Sequence, residues 1–310
     1  MSLPAVSICV CTFHRPIGLS RLLQSLRNLD PSGPSYEVIV VDNDTHESAR
    51  PVVRQAQAEG MVIRYFVETV QSIALARSRA VGEAAAEWVA FIDDDEEADP
   101  RWLVKLWEKT RMEGVDGVFG SIKRRFERGT REWIRNSYPT LERANGYIRW
   151  NDTATGNALV RRSAMLSTGC LFNPAYGRTG GEDTELFKRM VEAGSRFVGV
   201  SSSIVYESLP ASRTTIRYLL RWWFSNGITF SEIDMAGVNI WQLNPRFSRR
   251  LWVVCCLSLI GLYELGFSPE RGSRRLQKAC FEAGILFGKL TGMRLKRTKA
   301  KDDVPLQVEL

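Results

Sequence analysis

Five acidic residues directly follow a buried-type apolar segment in Phe91-Ile92-Asp93-Asp94-Asp95-Glu96-Glu97. Carboxylates this close repel one another and hold their protons more tightly unless a cation offsets the charge. Mg2+ or Mn2+ takes oxygen ligands of this kind, which makes Asp93 and Asp95 candidate metal ligands. Strand alternation through the run would set Asp93 and Asp95 on one side and Asp94 on the other. Glu96, Glu97 and Asp99 also read as acids that favour the start of a helix. Val40-Val41-Asp42-Asn43-Asp44 is a second apolar segment ending in acids. Asp42 can accept from a base N–H or ribose hydroxyls, or close an Asp-Asn turn. Thr12-Phe13-His14-Arg15-Pro16 sets a hydroxyl and a cation after the first apolar run, with His14 a turn residue rather than a catalyst. Gly177-Arg178-Thr179-Gly180-Gly181-Glu182-Asp183 brings two carboxylates to a helix start. They serve either as capping acids or as a general base on a mobile loop.

The elements that must position these residues alternate in type. Val6–Phe13, Glu37–Val41, Val62–Val67 and Trp88–Ile92 are short apolar runs of strand character. Between them, Ile17–Leu29, with leucines at 19, 22, 23, 26 and 29, Glu47–Glu59 and Ile73–Ala86 have helical periodicity. Pro100 opens a fourth helix that runs to about Met112, since proline suits a first helical turn. Such βαβ units predict an α/β fold with a Rossmann-like, mostly parallel sheet flanked by helices. Right-handed crossovers gather the strand C-terminal ends along one edge, where ligands bind. Further on, Gly117–Phe126 and Ala154–Val160 read as strands, Asp183–Ala193 as a helix and Arg196–Tyr206 as one strand or two. Gly129–Trp150 has no clear pattern.

A chain of 310 residues, 44% apolar and 25% charged, fills one large domain or two ordinary ones and is neither disordered nor fibrous. Its six cysteines form no zinc-like pair of pairs and read as reduced, buried thiols of a cytosolic protein. Charge divides the chain. Residues 211–310 carry 16 Lys and Arg against 8 Asp and Glu, while residues 1–210 are nearly balanced. A boundary near 210 follows, with 1–210 a domain of strand and helix units and 211–310 a basic helical region; the resemblance given below makes 1–210 the catalytic, nucleotide-sugar-binding domain. Thr214–Phe224, Leu251–Leu265 and Arg274–Leu290 are its helices, and the charged tail from Arg294 is mobile. Leu251–Tyr263 is uncharged but too short for the roughly 20 residues of a membrane span, so it reads as buried or interfacial. Arg249, Arg250, Arg271, Arg274, Arg275, Lys278 and Lys289, with Trp222, Trp223, Trp241 and Trp252, fit a helix set lying on an anionic membrane surface. A helical subdomain packed on the sheet, or a dimer interface, is the other reading. Met1–Pro4 lacks the pattern of a signal peptide.

No Gly-x-Gly-x-x-Gly or Walker loop follows the first strand, which disfavours NAD enzymes and P-loop kinases. The ordered set Thr12–Pro16, Val41-Asp42-Asn43, Ala76-Arg77, Asp93–Asp95, Thr155-Gly156-Asn157 and Glu182-Asp183 resembles the inverting, family-two glycosyltransferases of the GT-A fold. The resemblance spans roughly residues 4–225. Its Ile92–Glu96 and Gly-Glu-Asp forms are similar to bacterial exopolysaccharide enzymes of the succinoglycan glucosyltransferase type. It implies Asp183 as general base. It implies Thr12, Arg15, Asp42, Arg77, Asp93 and Asp94 on the donor, and Asp93 and Asp95 on Mg2+ or Mn2+, with Asp95 the direct contact. It further implies Thr155, Asn157 and Glu182 around the sugar or acceptor. Ser78 stands where many relatives have Asn. Thr214–Tyr218 lacks the Gln and Trp of the processive Gln-x-x-Arg-Trp motif, which argues for addition of one sugar.

The implied reaction moves one hexose from a UDP-sugar, UDP-glucose favoured, to a saccharide acceptor on a polyprenyl diphosphate. It would run on the cytoplasmic face of the inner membrane, with the protein peripheral and no nucleic acid involved. A nucleotidyltransferase making a nucleotide sugar shares the acidic site, but its Gly-rich Arg and Lys loop is absent at Thr12–Gly18. A cation-dependent carbohydrate-binding module needs no nucleotide, and the basic tail matches no nucleic-acid-binding motif.

Overall fold

The structure, a computed structural model, describes residues 3–112, 114–234 and 244–291. Its first half is a run of βαβ units. Strands β1 (Val6–Thr12), β2 (Tyr36–Asp42), β3 (Ile63–Val67) and β4 (Trp88–Ile92) alternate with helices α1 (Pro16–Arg27), α2 (Arg50–Ala58) and α3 (Ile73–Glu83). A three-residue strand β5 (Glu96–Ala98) and helix α4 (Trp102–Lys109) follow. Then come β6 (Gly117–Phe126), α5 (Glu132–Ser137), β7 (Gly146–Ile148), β8 (Asn157–Arg161), α6 (Arg162–Leu166), α7 (Glu182–Glu192) and β9 (Phe197–Leu209). Helices α8 (Ile216–Asp234), α9 (Asn244–Leu265) and α10 (Pro269–Thr291) complete the described chain.

The nine strands form one sheet in the order β3-β2-β1-β4-β8-β6-β9-β5, with β7 beside β9. β1 to β4 are mutually parallel, β8 runs antiparallel to both β4 and β6, and β9 is parallel to β6. The sheet is thus mostly parallel, as expected, with β5, β7 and β8 reversed. Val38–Val41 and Trp88–Ile92 are buried along their whole length because helices cover both faces of a parallel sheet. One core layer joins Leu19, Leu22, Leu23 and Leu26 of α1 to Trp102, Leu103 and Leu106 of α4. The other joins Ala74, Ala76, Ala80 and Val81 of α3 to Leu186, Phe187 and Met190 of α7.

Three expectations change. β4 stops at Ile92, and a turn closed by Glu96 N donating to the Asp93 carbonyl (3.1 Å) replaces strand through Asp93–Asp95. The alternation expected of the three aspartates is lost. Glu96 and Glu97 lie in β5, paired with β9 rather than opening a helix. Of the cysteines, Cys9 is buried, whereas Cys170 and Cys255 are exposed.

The C-terminal helices pack on the sheet-bearing part of the chain. α8 and α10 cross at glycine, where a Cβ on Gly227 would strike the Phe281 carbonyl and one on Gly284 the Phe224 carbonyl. Lys188 of α7 donates to the Ile233 carbonyl of α8 (2.6 Å), and Trp150 stacks on Phe230 at 6.3 Å. Gln277 of α10 donates to the Ser137 carbonyl of α5 (3.0 Å). Trp223 packs edge-on against Phe281 of α10 instead of facing outward. No helix among the described residues is long and apolar enough to cross a membrane. Trp241 and the tail from Arg294 lie outside the described residues.

Candidate active site

Arg77 projects from the middle of α3 into the edge formed by the ends of β1 and β4. Ser72 caps that helix by accepting from Leu75 N (3.4 Å), and Asn43 fixes the approach to it. Asn43 donates to the carbonyls of Glu68 (2.8 Å) and Val70 (2.7 Å) and accepts from Ser72 N (2.8 Å). The guanidinium is buried and carries two carboxylates: it donates to Asp93 (2.8 Å) and to Glu182. Burial alone would weaken its charge, but Asp93, Glu182 and Asp183 outweigh that and hold it firmly cationic. The aspartate run after β4 and the acid pair at the start of α7 thus meet on one side chain.

The rest of the run pairs with two other arginines. Asp94 and Asp95 both accept from the same nitrogen of Arg15, at 2.8 and 2.9 Å. Asp95 also accepts from Arg213 at 3.0 Å. Burial raises the Asp95 carboxyl, yet Arg15 and then Arg213 more than offset it, and Asp95 sits below the usual carboxylate range. Close packing of α1 under the run sets this geometry, since a Cβ on Gly18 would collide with the Asp94 carbonyl oxygen. Beneath lie two acids pushed toward their neutral forms. Glu96 is raised by burial and then by the charge of Asp93, whose N–H it accepts at 2.9 Å. Glu207, its partner across β5 and β9, is raised by burial despite the 3.0 Å contact from Arg124.

Asp183 stands in the first turn of α7 after Gly181, whose φ of 94° lies in the left-handed region that glycine occupies without strain. A Cβ on Gly181 would strike Thr229 of α8, so the C-terminal helices bear directly on this loop. One Asp183 oxygen lies 3.4 Å from both the N–H and the hydroxyl of Thr155. The other accepts from the Thr184 N–H at 2.7 Å. These contacts orient the carboxylate while leaving the residue partly exposed.

Other expected site residues are placed differently. Asp42 is fully buried and already accepts from Asp44 N (3.1 Å), Ala49 N (2.9 Å) and the Tyr65 hydroxyl (2.9 Å). It holds the β2–α2 connection together and presents no free oxygen for a base or ribose in this conformation. Asn157 is likewise committed to the core: it accepts from Trp102 Nε1 (2.8 Å) and donates to the carbonyls of Ser121 (2.9 Å) and Ser203 (3.1 Å). It anchors β8 to α4, β6 and β9. Thr12 is buried beside Asp42 across β1 and β2, and its hydroxyl has no hydrogen-bond partner among the described residues. Sequence reasoning missed Arg213, Arg124 and Glu207, and left Glu96 between a helix-capping acid and a site residue. Only the register of β9 against β5 and β6 brings them beside the aspartates.

Among the described residues no three His, Cys, Asp or Glu side chains converge into a ready-made metal cage. The donor chemistry nevertheless fits Mg2+ or Mn2+, which take one or two carboxylates and complete their shell with phosphate and water. Asp93, with its side chain 43% exposed, and Asp95 are the carboxylates that would serve.

Comparison with known proteins bears on this arrangement. Residues 7–167 match the profile of the glycosyl transferase family 2, described as Glycosyl transferase family 2. The chain belongs to that family. The succinoglycan biosynthesis protein ExoM of Rhizobium meliloti (strain 1021) is 33% identical over 233 residues, 74% of each chain. Among solved structures, a mannosyltransferase from Pyrobaculum calidifontis in complex with GDP-Man and Mn2+ superposes with a TM-score of 0.64 at 17% identity. The match covers 94% of this chain and 88% of that one. S. aureus TarS 1–349 in complex with UDP-GlcNAc gives 0.55 at 13% identity, covering 93% and 91%. The chain thus has the GT-A fold of these glycosyltransferase structures, a mostly parallel sheet flanked by helices, and C-terminal helices follow it.

Proposed function

We propose that this family member transfers one hexose from a UDP-sugar, UDP-glucose favoured, to a saccharide acceptor. The acceptor is carried on a lipid diphosphate, in synthesis of a bacterial surface polysaccharide. The carrying observation is the Arg77 bridge between Asp93 and Glu182, which brings a candidate donor acid and the neighbour of the candidate base Asp183 to one guanidinium. Arg15, Arg77, Asp93 and Asp94 would hold the nucleotide. A divalent cation at Asp93 and Asp95 would neutralise charge on the departing diphosphate. Asp183, oriented by Thr155, would take the proton of the acceptor hydroxyl as it attacks the anomeric carbon from the opposite face. One displacement of this kind inverts the anomeric centre and needs no covalent nucleophile. Likeness to a succinoglycan biosynthesis protein supports the polysaccharide setting. The basic, aromatic C-terminal helices support action at the cytoplasmic face of a membrane.

The test is a panel of nucleotide sugars scored for UDP release and transfer, with Mn2+ or with chelator, alongside calorimetric titration of UDP. The expected result is UDP binding that is strong with Mn2+ or Mg2+ and weak in chelator, with turnover highest for one UDP-hexose. Equal UDP affinity in metal and in chelator would overturn metal dependence. Release of diphosphate from a nucleoside triphosphate and sugar phosphate would favour nucleotide-sugar synthesis instead.

A further inference from the structure

Arg213 lies in the single 3-10 turn Ala211–Arg213 between β9 and α8. No motif marks it, yet its guanidinium reaches the aspartate run and shares one Asp95 oxygen with Arg15. Its backbone is anchored independently of that contact. Arg213 N donates to the Pro210 carbonyl (3.0 Å), its own carbonyl accepts from the Tyr138 hydroxyl, and Ala211 N donates to Glu127 (2.7 Å). The side chain is about a quarter exposed, so it can change partner while the backbone stays in place.

The two arginines on Asp95 are not equivalent. Arg15 has a second carboxylate in Asp94 at 2.8 Å. The other acid near Arg213, Glu207, is served by Arg124 at 3.0 Å. A divalent cation taking Asp95 would therefore leave Arg15 paired and set Arg213 free beside a new positive charge. Its guanidinium then needs an anion, and its planar fork matches phosphate oxygens. A nucleoside diphosphate arriving with the cation supplies that anion, and the exchange leaves no buried charge unpaired.

We propose that Arg213 is an exchangeable counter-ion, pairing with Asp95 in the empty enzyme and with the diphosphate of the donor once a divalent cation has taken Asp95. The proposal rests on the reading of Asp95 as a metal ligand and of the donor as a nucleoside diphosphate sugar. It predicts changes of opposite sign in one variant. Removing the guanidinium frees Asp95 for metal and deprives the nucleotide of a partner.

The experiment uses the full chain as wild type, Arg213→Gln and Arg213→Lys, with thermal unfolding as the folding check. Mn2+ alone is titrated by electron paramagnetic resonance, and UDP is titrated by calorimetry at saturating Mn2+. For Arg213→Gln, Mn2+ alone binds several-fold more tightly, and UDP about tenfold more weakly, the scale of one charge-assisted hydrogen bond. Arg213→Lys keeps the charge without the fork and falls between the two on both readouts. An Arg213→Gln affinity for Mn2+ alone that is unchanged or weaker overturns the proposal, as does an unchanged UDP affinity. Should Arg213→Gln fail to fold, an Arg213→Lys variant equal to wild type on both readouts overturns it. A wild type that binds no UDP at saturating Mn2+ overturns the donor reading and the proposal together, whereas failure confined to the variants overturns the proposal alone.

Discussion

Arg77 ties the acids around it together. Its buried guanidinium pairs with Asp93 and with Glu182, the residue before Asp183. That leaves Asp183 as the partly exposed carboxylate held by Thr155 and available to a hydroxyl. Asp183→Asn preserves size and keeps one oxygen for Thr155 but removes the proposed proton acceptor. Transfer is expected to fall by roughly 10²–10⁴ while UDP affinity stays within a few-fold. A variant that transfers at more than a tenth of the normal rate would move the base to Glu182. Asn157 makes the contrasting case. Asn157→Ala strands Trp102 Nε1 and two carbonyls in the core, at about 1–3 kcal/mol for each unsatisfied group. The expected outcome is a melting temperature several degrees lower, with KM for donor and acceptor unchanged in the protein that remains folded. A raised acceptor KM without a stability loss would return Asn157 to the pocket. These roles divide by legibility. Residue type and order singled out Asp93, Asp183 and Arg77, which the fold brings close together, but they did not separate a polar side chain that meets solvent from one whose hydrogen bonds are met inside, as those of Asp42 and Asn157 are.

Elements were legible where burial on both faces left a plain signature. EVIVV and WVAFI have few ways to be anything but central parallel strands, and the leucine stripe of α1 has one core to face. What failed was continuity. The strand alternation read through Asp93–Asp95 is broken by the turn after Ile92, and β5 exists only because β9, more than a hundred residues later, pairs with it. Arg213 is invisible in sequence for the same reason. A smaller cross-element tie is measurable by pH. Glu37 of β2 accepts from the Ser7 hydroxyl of β1 (2.6 Å) and from Ala85 N after α3 (2.8 Å), with Arg64 of β3 at 3.3 Å. Burial raises the Glu37 carboxyl, but these donors outweigh it and the group lies below its ordinary value of 4.5. A depressed folded pKa gives stability that is present above the unfolded value and lost as pH falls through the folded one. Melting temperature should therefore decline on acidification below about pH 4.5, and Glu37→Gln should flatten that decline while lowering stability at neutral pH. Parallel wild-type and variant curves between pH 5 and 3 would show that the tie contributes nothing to acid unfolding.

At the scale of the molecule, residues 1–210 are nearly neutral and residues 211–310 carry the basic excess, and the packing qualifies how that excess is used. Arg250, Arg274 and Arg275 are tied to Glu282, Glu270 and Glu264 within the helices, so they are not free to meet a lipid head group. Arg249, Arg271 and Lys278 are exposed. Beside them α9 presents Trp252, Leu259, Leu262 and Tyr263, each more than 60% exposed, at spacings that share one helical face, with Phe267 just beyond. A soluble surface seldom leaves so many large apolar side chains together without a partner. An anionic bilayer answers both features: each Lys or Arg near it is worth about 1 kcal/mol, and apolar side chains insert at the acyl boundary. The reading predicts that the full chain floats with vesicles containing phosphatidylglycerol at low salt. High salt should release part of it, because charge is screened within a few ångströms at about 1 M, and leave a remainder held by the apolar face. Leu259→Glu combined with Leu262→Glu alters only exposed positions, so folding and UDP binding should persist while the salt-resistant fraction disappears. A full chain that stays soluble at low salt, or a double variant that floats as well as wild type, would assign this face to a protein partner instead.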